Sequence, residues 1–349
     1  MTKTFKIGSR TIGRGHAPYV IAEMSGNHNG DVNRAMDLIR AAKQAGAHAV
    51  KLQTYTADTM TIDHEGTGFT IEGGLWDGRS LYELYEEAHT PWDWHQSLFD
   101  LGREIGIDVF SSPFDETAVD FLEQFDPPVY KVASFELLDI PLLEKIAVTG
   151  RPIIVSTGMA TLEEVNEALS TLERAGAKDL VVLHCVSGYP TPIGEVNLLT
   201  IPDLEEKLGL PVGLSDHTLG TSVAVGAVAL GACVVEKHFT LRRKDGGPDA
   251  AFSLEPHEFT NLVSDTAAVF SALGSAGYQK KTSEEQSIQF RRSIYVVADI
   301  DKGEMLTEAK IRRIRPGFGL APRHYREMLG RKASRKLTRG EPLSLSDVE

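Results

Sequence analysis

Residues 151–185 read RPIIVSTGMATLEEVNEALSTLERAGAKDLVVLHC and contain one complete strand–helix–strand unit. The apolar runs at 153–156 and 180–184 predict two strands. Between them, Thr161 precedes two glutamates, as a helix N-cap does, and Gly176 follows the last helical turn, as a helix stop does. A strand, a helix and a second strand in this order indicate a parallel βαβ unit.

The same alternation extends on both sides of this unit, from residue 19 to residue 273. Strands are predicted at 19–23, 49–53, 109–112, 129–133, 153–156, 180–184, 212–214 and 233–237. Helices are predicted at 33–44, 92–105, 116–125, 141–149, 162–175, 197–207, 222–230 and 256–272. Eight strand–helix pairs predict an α/β fold of the (β/α)8 TIM-barrel type. An open doubly wound sheet is the alternative, but no GxGxxG motif follows the first strand.

The chain divides into two predicted domains. Residues 1–273 form the barrel domain, the small and polar stretch 274–288 is a linker, and residues 289–349 form a small β-rich domain. Because so short a domain buries little core, we expect it to dock on the barrel. One long insertion, residues 54–91, separates the second strand from its helix. A loop of this length is usually functional, and in a barrel it lies over the C-terminal face.

The composition narrows the classes of partner. The 349 residues carry a formal charge of −13, with 42% hydrophobic and 24% charged residues, as in an ordinary globular protein. Residues 285–349 hold 14 Lys and Arg against 9 Asp and Glu, a net charge of +5, so residues 1–284 carry −18. The acidic total argues against binding to nucleic acid or to a membrane surface. The division of charge supports two separate units.

The sequence predicts a cytoplasmic protein. Cys185 and Cys233 both lie in apolar runs, which favours reduced, buried thiols over a disulfide. The polar start of the chain lacks the apolar core of a secretory signal. The longest nearly apolar run, residues 223–235, is too short to span a membrane.

Polar side chains stand at the ends of all eight predicted strands, where a TIM barrel carries its active site. They are Glu23; Lys51 and Gln53; Ser111 and Ser112; Lys131, Ser134 and Glu136; Ser156 and Thr157; His184 and Ser187; Ser215, Asp216 and His217; and Glu236 and His238.

Lys51 and Lys131 lie inside apolar strands, where an unpaired ammonium is costly. One interpretation is an internal ion pair with Glu23 or Glu136. The other is an anion site for phosphate or carboxylate. Hydroxyl donors for such an anion are available at Ser112, Ser134, Ser156 and Ser187.

His217 and His238 end neighbouring predicted strands, which lie about 4.8 Å apart. Both imidazoles can therefore reach one divalent metal with open positions for Lewis-acid chemistry. Asp249, in the loop after the last strand, can contribute through water. The alternative is that each histidine is a satisfied core or rim residue.

Two further motifs have weaker functional signals. Residues 27–30, NHNG, predict a turn into a helix capped by Asp31, with His28 as a weaker candidate for chemistry. The insertion and the start of the next helix contain five aromatic residues, which suggest either a hydrophobic cluster or a platform for a sugar. These residues are Trp76, Tyr82, Tyr85, Trp92 and Trp94.

Taken together, the motifs resemble the sialic acid (nonulosonic acid) synthase family along essentially the whole chain. The runs that carry the resemblance are AEMSGNHNGD, KLQTYTADT, SSPFD, YKVASFE, STGMAT, HCVSGYPTP, GLSDHTLG and EKHFTLRRKDGGPDAAFSLEP. RRSIYVVADIDKGEMLT, IRPGFGL and RGEPLS resemble the SAF, or antifreeze-like, domain of that family. LWDGRSLYELYEEAHTPWDWH and DAAFSLEP are more similar to the pseudaminic acid branch, whereas HCVSGYPTP is closer to neuraminate-type members.

The resemblance implies condensation of phosphoenolpyruvate with the open-chain aldehyde of an acetamido sugar, which gives a nine-carbon 2-keto acid and phosphate. For the pseudaminic acid branch the sugar is 2,4-diacetamido-2,4,6-trideoxy-L-altrose. The alternative is N-acetylneuraminate or legionaminate synthesis from an N-acetylmannosamine-type sugar. The implied cofactor is a divalent metal, Mn²⁺ first, with Mg²⁺ or Co²⁺ as other options.

The resemblance also implies roles for the residues named above. His217 and His238 hold the metal, Asp249 positions its water, and Glu23 and Glu136 move protons or orient the sugar. Gln53, Phe114 and Arg315 contact the sugar, with Arg315 reaching the active site of the partner subunit in a homodimer. The phosphoenolpyruvate ligands implied are Lys51, Ser112, Lys131, Ser134, Ser156, Ser187 and Ser215.

Two other functions remain as alternatives. One is a phosphoenolpyruvate-using barrel of the deoxy-heptulosonate or deoxy-octulosonate phosphate synthase kind, which needs a basic pocket for a phosphorylated sugar and lacks the C-terminal domain. The other is a sugar-binding or structural protein that reuses the antifreeze-like module. Such a binder does not need the paired histidines.

Overall fold

The computed structural model describes residues 3–349, which form two compact units that divide after Gly274. In the first unit, eight parallel strands close into a barrel, in which each strand pairs with the next along the chain and the last pairs with the first. Each barrel strand is followed by a helix, so the predicted (β/α)8 TIM barrel is confirmed.

The strands of the first unit are β1 Phe5–Ile7, β2 Arg10–Ile12, β3 Tyr19–Glu23, β4 Ala49–Thr54, β5 Asp108–Pro113, β6 Tyr130–Val132, β7 Ile153–Ser156, β8 Leu180–Cys185, β9 Val212–Asp216 and β10 Val234–His238. The helices of this unit are α1 Val32–Gln44, α2 Ala57–Met60, α3 Leu81–Ala88, α4 His95–Ile105, α5 Glu116–Leu122, α6 Ile140–Ala147, α7 Leu162–Arg174, α8 Thr200–Leu208, α9 Ser222–Ala229 and α10 Pro256–Leu273.

Local chemistry sets the helix ends. Thr161 accepts a hydrogen bond from the Glu164 amide, and the Glu164 carboxylate accepts one from the Thr161 amide, which is a capping box at the start of α7. Helix α8 begins at Thr200 rather than at the predicted residue 197. Asn197 has φ of 52°, a left-handed conformation that a right-handed helix cannot include.

The two faces of the barrel strands pack against different partners. Outward-facing residues such as Val20, Val50 and Val155 pack with the surrounding helices in one large core. Inward-facing residues near the N-terminal ends, such as Tyr19 and Phe110, form a second core inside the barrel. Both faces are buried, which explains why the strands read as nearly continuous apolar runs.

The antiparallel hairpin of β1 and β2 was not predicted from the sequence. Its Phe5, Ile7 and Ile12 side chains join the core inside the barrel and are at most 7% exposed. Strands of three residues are too short to show a periodic pattern, so only the packing identifies them.

The insertion between β4 and α4 has secondary structure of its own. Helix α2 begins after Thr56, an isolated antiparallel bridge joins Thr70 to Ser80, and α3 follows at once. The insertion is therefore an ordered part of the barrel unit.

The second unit has its own small core. Strands β11 Ser293–Val296 and β12 Ile311–Ile314 pair antiparallel, and the short helix α11 spans Tyr325–Met328. Ile294, Ile300 and Leu337 are among its fully buried residues. This agrees with the predicted small β-rich domain.

Among residues 3–349, no helix is long and apolar enough to cross a membrane. Cys185 and Cys233 are buried, free thiols, as expected. The cytoplasmic location stays a prediction.

Candidate active site

A buried cluster of charges lies inside the C-terminal end of the barrel, across the neighbouring strands β10, β3 and β4. The Lys51 Nζ atom lies 3.2 Å from Glu23 Oε2 and 3.3 Å from Glu236 Oε1. It also lies 3.5 Å from the Ser112 hydroxyl. The Gln53 amide donates to Glu23 Oε1 at 2.8 Å. Two carboxylates thus share one ammonium away from solvent, and these three charged residues are at most 4% exposed.

Sequence reasoning noted Glu236 at a strand end but gave it no role. The Ser215 hydroxyl donates to its Oε1 atom at 3.0 Å. The sequence feature that could have identified Glu236 as a site residue is its position inside the apolar strand β10, two residues before His238 and therefore on the same face. Of the two partners proposed for Lys51, Glu23 is confirmed. Glu136 is not a partner, and Glu236 takes that place.

Neighbouring ammonium groups separate the pKa values of these two buried carboxyls. Burial raises the pKa of Glu23 to about 7, although Lys51 opposes the shift. Burial also acts to raise the pKa of Glu236, but the ammonium groups of Lys131 and Lys51 hold that pKa at about 2. Neighbouring carboxyls with different pKa values are suited to an acid and a base role in one site.

Lys131 differs from Lys51 in its partners. It is 1% exposed, and its Nζ atom donates to the Val132 carbonyl at 2.9 Å. Within the described chain it has no carboxylate partner within 4 Å, and burial lowers its pKa to about 8. An ammonium in this position retains donor capacity for an anionic ligand.

Serine hydroxyls surround the same end of the barrel. The Ser156 Oγ atom is buried and has no hydrogen-bond partner among residues 3–349. The Gly158 amide donates to Ser134 Oγ at 3.1 Å. A Cβ atom on Gly158 would lie 2.1 Å from Ser187 Oγ and 2.7 Å from Ser134 Oγ. Glycine therefore lets two hydroxyls approach the backbone, so that Ser134, Gly158 and Ser187 form a cradle lined by hydroxyls.

Glu136 lies at the start of the loop after β6, in a short 3₁₀ turn Ser134–Glu136. Its Oε2 atom is buried and lacks a hydrogen-bond partner in the part of the chain that the structure describes. Burial raises the pKa of Glu136 to about 7, although Lys131 opposes the shift. A carboxyl with this pKa can either hold or release a proton near neutral pH.

His217 and His238 lie side by side, with ring centroids 5.4 Å apart. The His217 Nδ1 atom lies 3.1 Å from the Val186 carbonyl, which can only accept, so this nitrogen carries a hydrogen. The His238 Nδ1 atom is buried, has no hydrogen-bond partner in the described chain, and lies 3.8 Å from Asp249 Oδ2. The Ser25 hydroxyl donates to the same Asp249 carboxylate.

The paired imidazoles fit a metal with open coordination positions. Burial lowers the pKa of His238 well below its ordinary value, so this ring is neutral, as a metal ligand must be. Residues 3–349 contain no group of three or more His, Cys, Asp or Glu side chains arranged around a metal position. A metal held by His217 and His238 therefore needs water or substrate for its remaining ligands.

Aromatic side chains form a wall beside the histidines. The ring of Tyr189, in the loop after β8, lies 4.5 Å from that of His217, and the ring of Phe252 lies 4.8 Å from that of His238. Trp76, from the insertion, lies 5.7 Å from Tyr189. The sequence analysis assigned no role to Tyr189. Its position in the loop directly after a strand end is the feature that could have identified it.

The five aromatic residues singled out from the sequence do not form one cluster. Trp92 stacks on Phe121 at 4.4 Å, and Trp94 contacts the edge of His28 at 5.3 Å. Tyr82 donates to Asp58, and Tyr85 contacts Tyr55. Only Trp76 of these five lies in the wall defined above.

The NHNG segment forms the predicted turn, and Asp31 accepts from the Asn33 amide as the N-cap of α1. The Asn27 amide donates to the Phe239 carbonyl and to Ser253 Oγ, both at 2.9 Å. His28 is fully buried, and its Nδ1 atom accepts from the Gly30 amide. These contacts give the segment a role in positioning the loop that carries Asp249.

The remaining predicted sugar contacts lie in different parts of the chain. Phe114 packs against Tyr55 at 5.1 Å at the end of β5. Arg315 belongs to the second unit, where it is exposed in the loop after β12.

Comparison with known proteins gives this site a family context. Residues 38–278 match the NeuB family, and residues 291–349 match the SAF domain. A pseudaminic acid synthase of Helicobacter pylori is 45% identical over 95% of this chain and 98% of its own length. An N,N'-diacetyllegionaminic acid synthase of Legionella pneumophila is 36% identical over 98% of both chains.

A solved structure also matches. The crystal structure of an N-acetylneuraminic acid (sialic acid) synthetase from Leptospira borgpetersenii superimposes with a TM-score of 0.74 at 31% identity. The match covers 83% of this chain and 97% of that protein.

Proposed function

The chain belongs to the NeuB family and carries a SAF domain, and from this membership we propose that it performs the pseudaminic acid synthase reaction. The enzyme condenses phosphoenolpyruvate with 2,4-diacetamido-2,4,6-trideoxy-L-altrose and water, and it releases pseudaminic acid and phosphate. The observation that carries the choice of sugar is the 45% identity to a pseudaminic acid synthase, against 36% to a legionaminic acid synthase, over nearly the whole chain.

Lys131 is the centre of the proposed phosphoenolpyruvate site. It is a buried ammonium with no carboxylate within 4 Å in the described chain, and it precedes Ser134 of the cradle by three residues. Phosphate and carboxylate are the ligands that such a set of donors selects. Ser156 supplies a free hydroxyl. Lys51 sits between two carboxylates and supplies the second positive charge. The Ser112 hydroxyl lies beside Lys51, and the Ser215 hydroxyl donates to Glu236.

In the proposed reaction, carbon 3 of phosphoenolpyruvate forms a bond to the aldehyde carbon of the sugar. Water then adds at carbon 2, and the carbon–oxygen bond to phosphate breaks. Glu136 and Glu23, with pKa values raised by burial to about 7, hold and move the protons that these steps require. Gln53 fixes the orientation of the Glu23 carboxyl through its hydrogen bond, and it contacts the sugar together with Phe114.

His217 and His238 would hold the divalent metal of the proposal, Mn²⁺ before Mg²⁺ or Co²⁺, which when bound polarises the aldehyde oxygen. The observation behind this assignment is the buried, unpartnered Nδ1 atom of His238 beside His217 and Asp249. Activity should be lost on chelation and restored by metal. Indifference of activity both to chelator and to His238→Ala would remove the metal from the proposal.

The proposal includes a homodimer in which Arg315 enters the partner's site. Two exposed surfaces support it. The first surface consists of apolar side chains in the loops after β6 to β9, each more than half exposed. They are Phe135, Leu138, Met159, Ile193, Leu199 and Leu219. In the second unit, Phe318 is 68% exposed near the exposed Arg315. A mixture of Arg315→Ala and Lys51→Ala chains should regain activity if sites are shared, and no rescue in verified mixed dimers would count against sharing.

The experiment that tests the assignment offers the enzyme phosphoenolpyruvate with one sugar at a time and follows phosphate release. We expect turnover with the diacetamido altrose and far less with N-acetylmannosamine. Preference for N-acetylmannosamine would replace the proposal with the neuraminate alternative. Phosphate release with neither sugar but with a phosphorylated aldose would favour the deoxy-octulosonate type.

A further inference from the structure

Trp76 connects the insertion to the active site through two specific contacts. Its indole N–H donates to the Pro248 carbonyl at 2.9 Å, in the loop that carries Asp249. Its ring lies 5.7 Å from the ring of Tyr189, which in turn lies 4.5 Å from that of His217. The backbone of one active-site loop therefore holds Trp76 in place as the outer member of the aromatic wall beside the histidines.

A cavity of about 260 Å³ lies next to Trp76 and opens to the surface. Its lining includes Leu75 and Ala251, which are apolar, and Arg79 and Glu87, which pair at 2.5 Å. The charges of Arg79 and Glu87 compensate each other, so the cavity has no net charge for an ionic ligand. Apolar walls beside paired polar groups suit a small neutral substituent that has both a methyl group and an amide.

The proposed sugar has such a substituent on carbon 4, three bonds from the reacting carbon 1. Its aldehyde carbon belongs at His217 and His238, near the strand ends, whereas Lys51 and Lys131 lie deeper within their strands. The distal carbons must therefore extend from the histidines towards the loops. Trp76 belongs to the insertion that follows the C-terminal end of β4, and the ring of Tyr189 links it to His217.

We infer that Trp76 and this cavity form the pocket for the N-acyl group on carbon 4 of the sugar, and that Trp76 sets the size of the acyl group accepted. The inference rests on the proposed function, because N-acetylmannosamine itself has no acyl group at that carbon. It adds a specificity-determining residue that lies outside the strands of the barrel.

The test varies the acyl group while the rest of the substrate stays constant. The 4-N-acetyl sugar and a 4-N-butanoyl analogue are compared by kcat/KM in the wild type, in Trp76→Ala and in Trp92→Phe. Trp92 is the matched control, since its indole also donates to a backbone carbonyl, that of Tyr55, but it packs on Phe121 away from the cavity. The KM of phosphoenolpyruvate and the thermal unfolding temperature report whether a variant is folded.

We expect the ratio of butanoyl to acetyl kcat/KM to rise about tenfold or more in Trp76→Ala, because removal of the indole enlarges the pocket by more than two methylene groups. The ratio should stay unchanged in Trp92→Phe. An equal loss for both sugars in Trp76→Ala would overturn the inference and leave Trp76 as a support for the loop. If the wild-type enzyme used only N-acetylmannosamine, the proposed function and this inference would both be overturned. If the wild type used the 4-N-acetyl sugar but the ratio did not change in Trp76→Ala, only the inference would be overturned.

Discussion

The two ends of the barrel interior are built on the same strands but hold opposite kinds of side chain. Near the N-terminal ends, inward positions hold apolar residues such as Ile21, Phe110 and Ile154, closed off by Ile7 of the hairpin. Two residues further along the same strands, the inward positions become charged or hydroxylic. They are Glu23, Ser112 and Ser156 on these three strands, with Lys51, Lys131 and Glu236 on others.

The comparison assigns different tasks to the two halves of each strand. The apolar half excludes water and contributes burial free energy, at about 25 cal/mol per Å² of apolar surface. The polar half buries charges at a cost that folding alone does not recover. A protein keeps such groups where chemistry needs them, so the polar half is the candidate active site.

The largest effect should follow the loss of the central cation of the polar half. In Lys51→Met, Glu23 and Glu236 lose the ammonium that lies 3.2 and 3.3 Å from them. Breaking a buried ion pair costs about 3–5 kcal/mol of stability, and we expect kcat/KM to fall by about 10³-fold or more. Urea unfolding and phosphate release measure the two effects. Activity within tenfold of wild type would show that the cluster is structural.

The matching change in the apolar half should affect stability alone. Ile7 is fully buried in the core inside the barrel, and Ile7→Ala should lower the free energy of unfolding by about 2–4 kcal/mol. Ile62, which is 60% exposed, is the control, and Ile62→Ala should change little. A specific rise in the KM of phosphoenolpyruvate in folded Ile7→Ala would contradict the division between the two halves.

A smaller change tests the anion site directly. The Ser156 hydroxyl is buried without a partner in the described chain, so Ser156→Ala removes no hydrogen bond of the ligand-free protein. If it donates to phosphoenolpyruvate, the KM of that substrate should rise about tenfold, as for loss of a hydrogen bond to a charged group. The free energy of unfolding should not fall. Unchanged KM would place the anion elsewhere.

The last expected effect is a pH dependence that belongs to Glu136. Burial raises its pKa to about 7 in the folded protein from an ordinary value of 4.5. The folded state therefore retains a proton that the unfolded state has released between these pH values. The stability contribution of this group is present below about pH 4.5 and is lost as the pH rises through 7.

Comparison of wild type with Glu136→Gln between pH 4 and 8 measures this contribution. The wild type should lose stability relative to the variant as the pH rises. The inflexion near pH 7 in log(kcat/KM) should be smaller in Glu136→Gln than in the wild type, and the part that remains belongs to Glu23, whose pKa burial also raises to about 7. The same inflexion in both proteins would assign it to another group.

Sequence patterns predicted the barrel closely because each element carries its own signal. Helix α7 has its cap, its periodic apolar face and its stop within residues 161–176, so no distant contact is needed to recognise it. Strand order then placed His217 beside His238, since consecutive strands of a barrel are neighbours. The hairpin carrying Ile7 escaped prediction because its two strands have three residues each.

Contacts between distant segments were harder to predict from the sequence. Glu236 was visible as a strand-end carboxylate, but its pairing with Lys51 depends on the closure of β10 onto β3, next to β4. Trp76 was visible as one of five aromatic residues, and only the fold of the insertion brings it to Tyr189 and Pro248.

The sequence by itself determined the alternation of strands and helices, the inward and outward face of each strand, and the polar residues at the strand ends. These properties are local, because backbone periodicity and capping act over a few residues. The tertiary structure decided which carboxylate pairs with which lysine, which hydroxyls remain unpartnered, and which aromatic residue of the insertion reaches the histidines. Those properties depend on the closure of the barrel and the path of its loops, which bring together residues as far apart in the chain as Lys51 and Glu236.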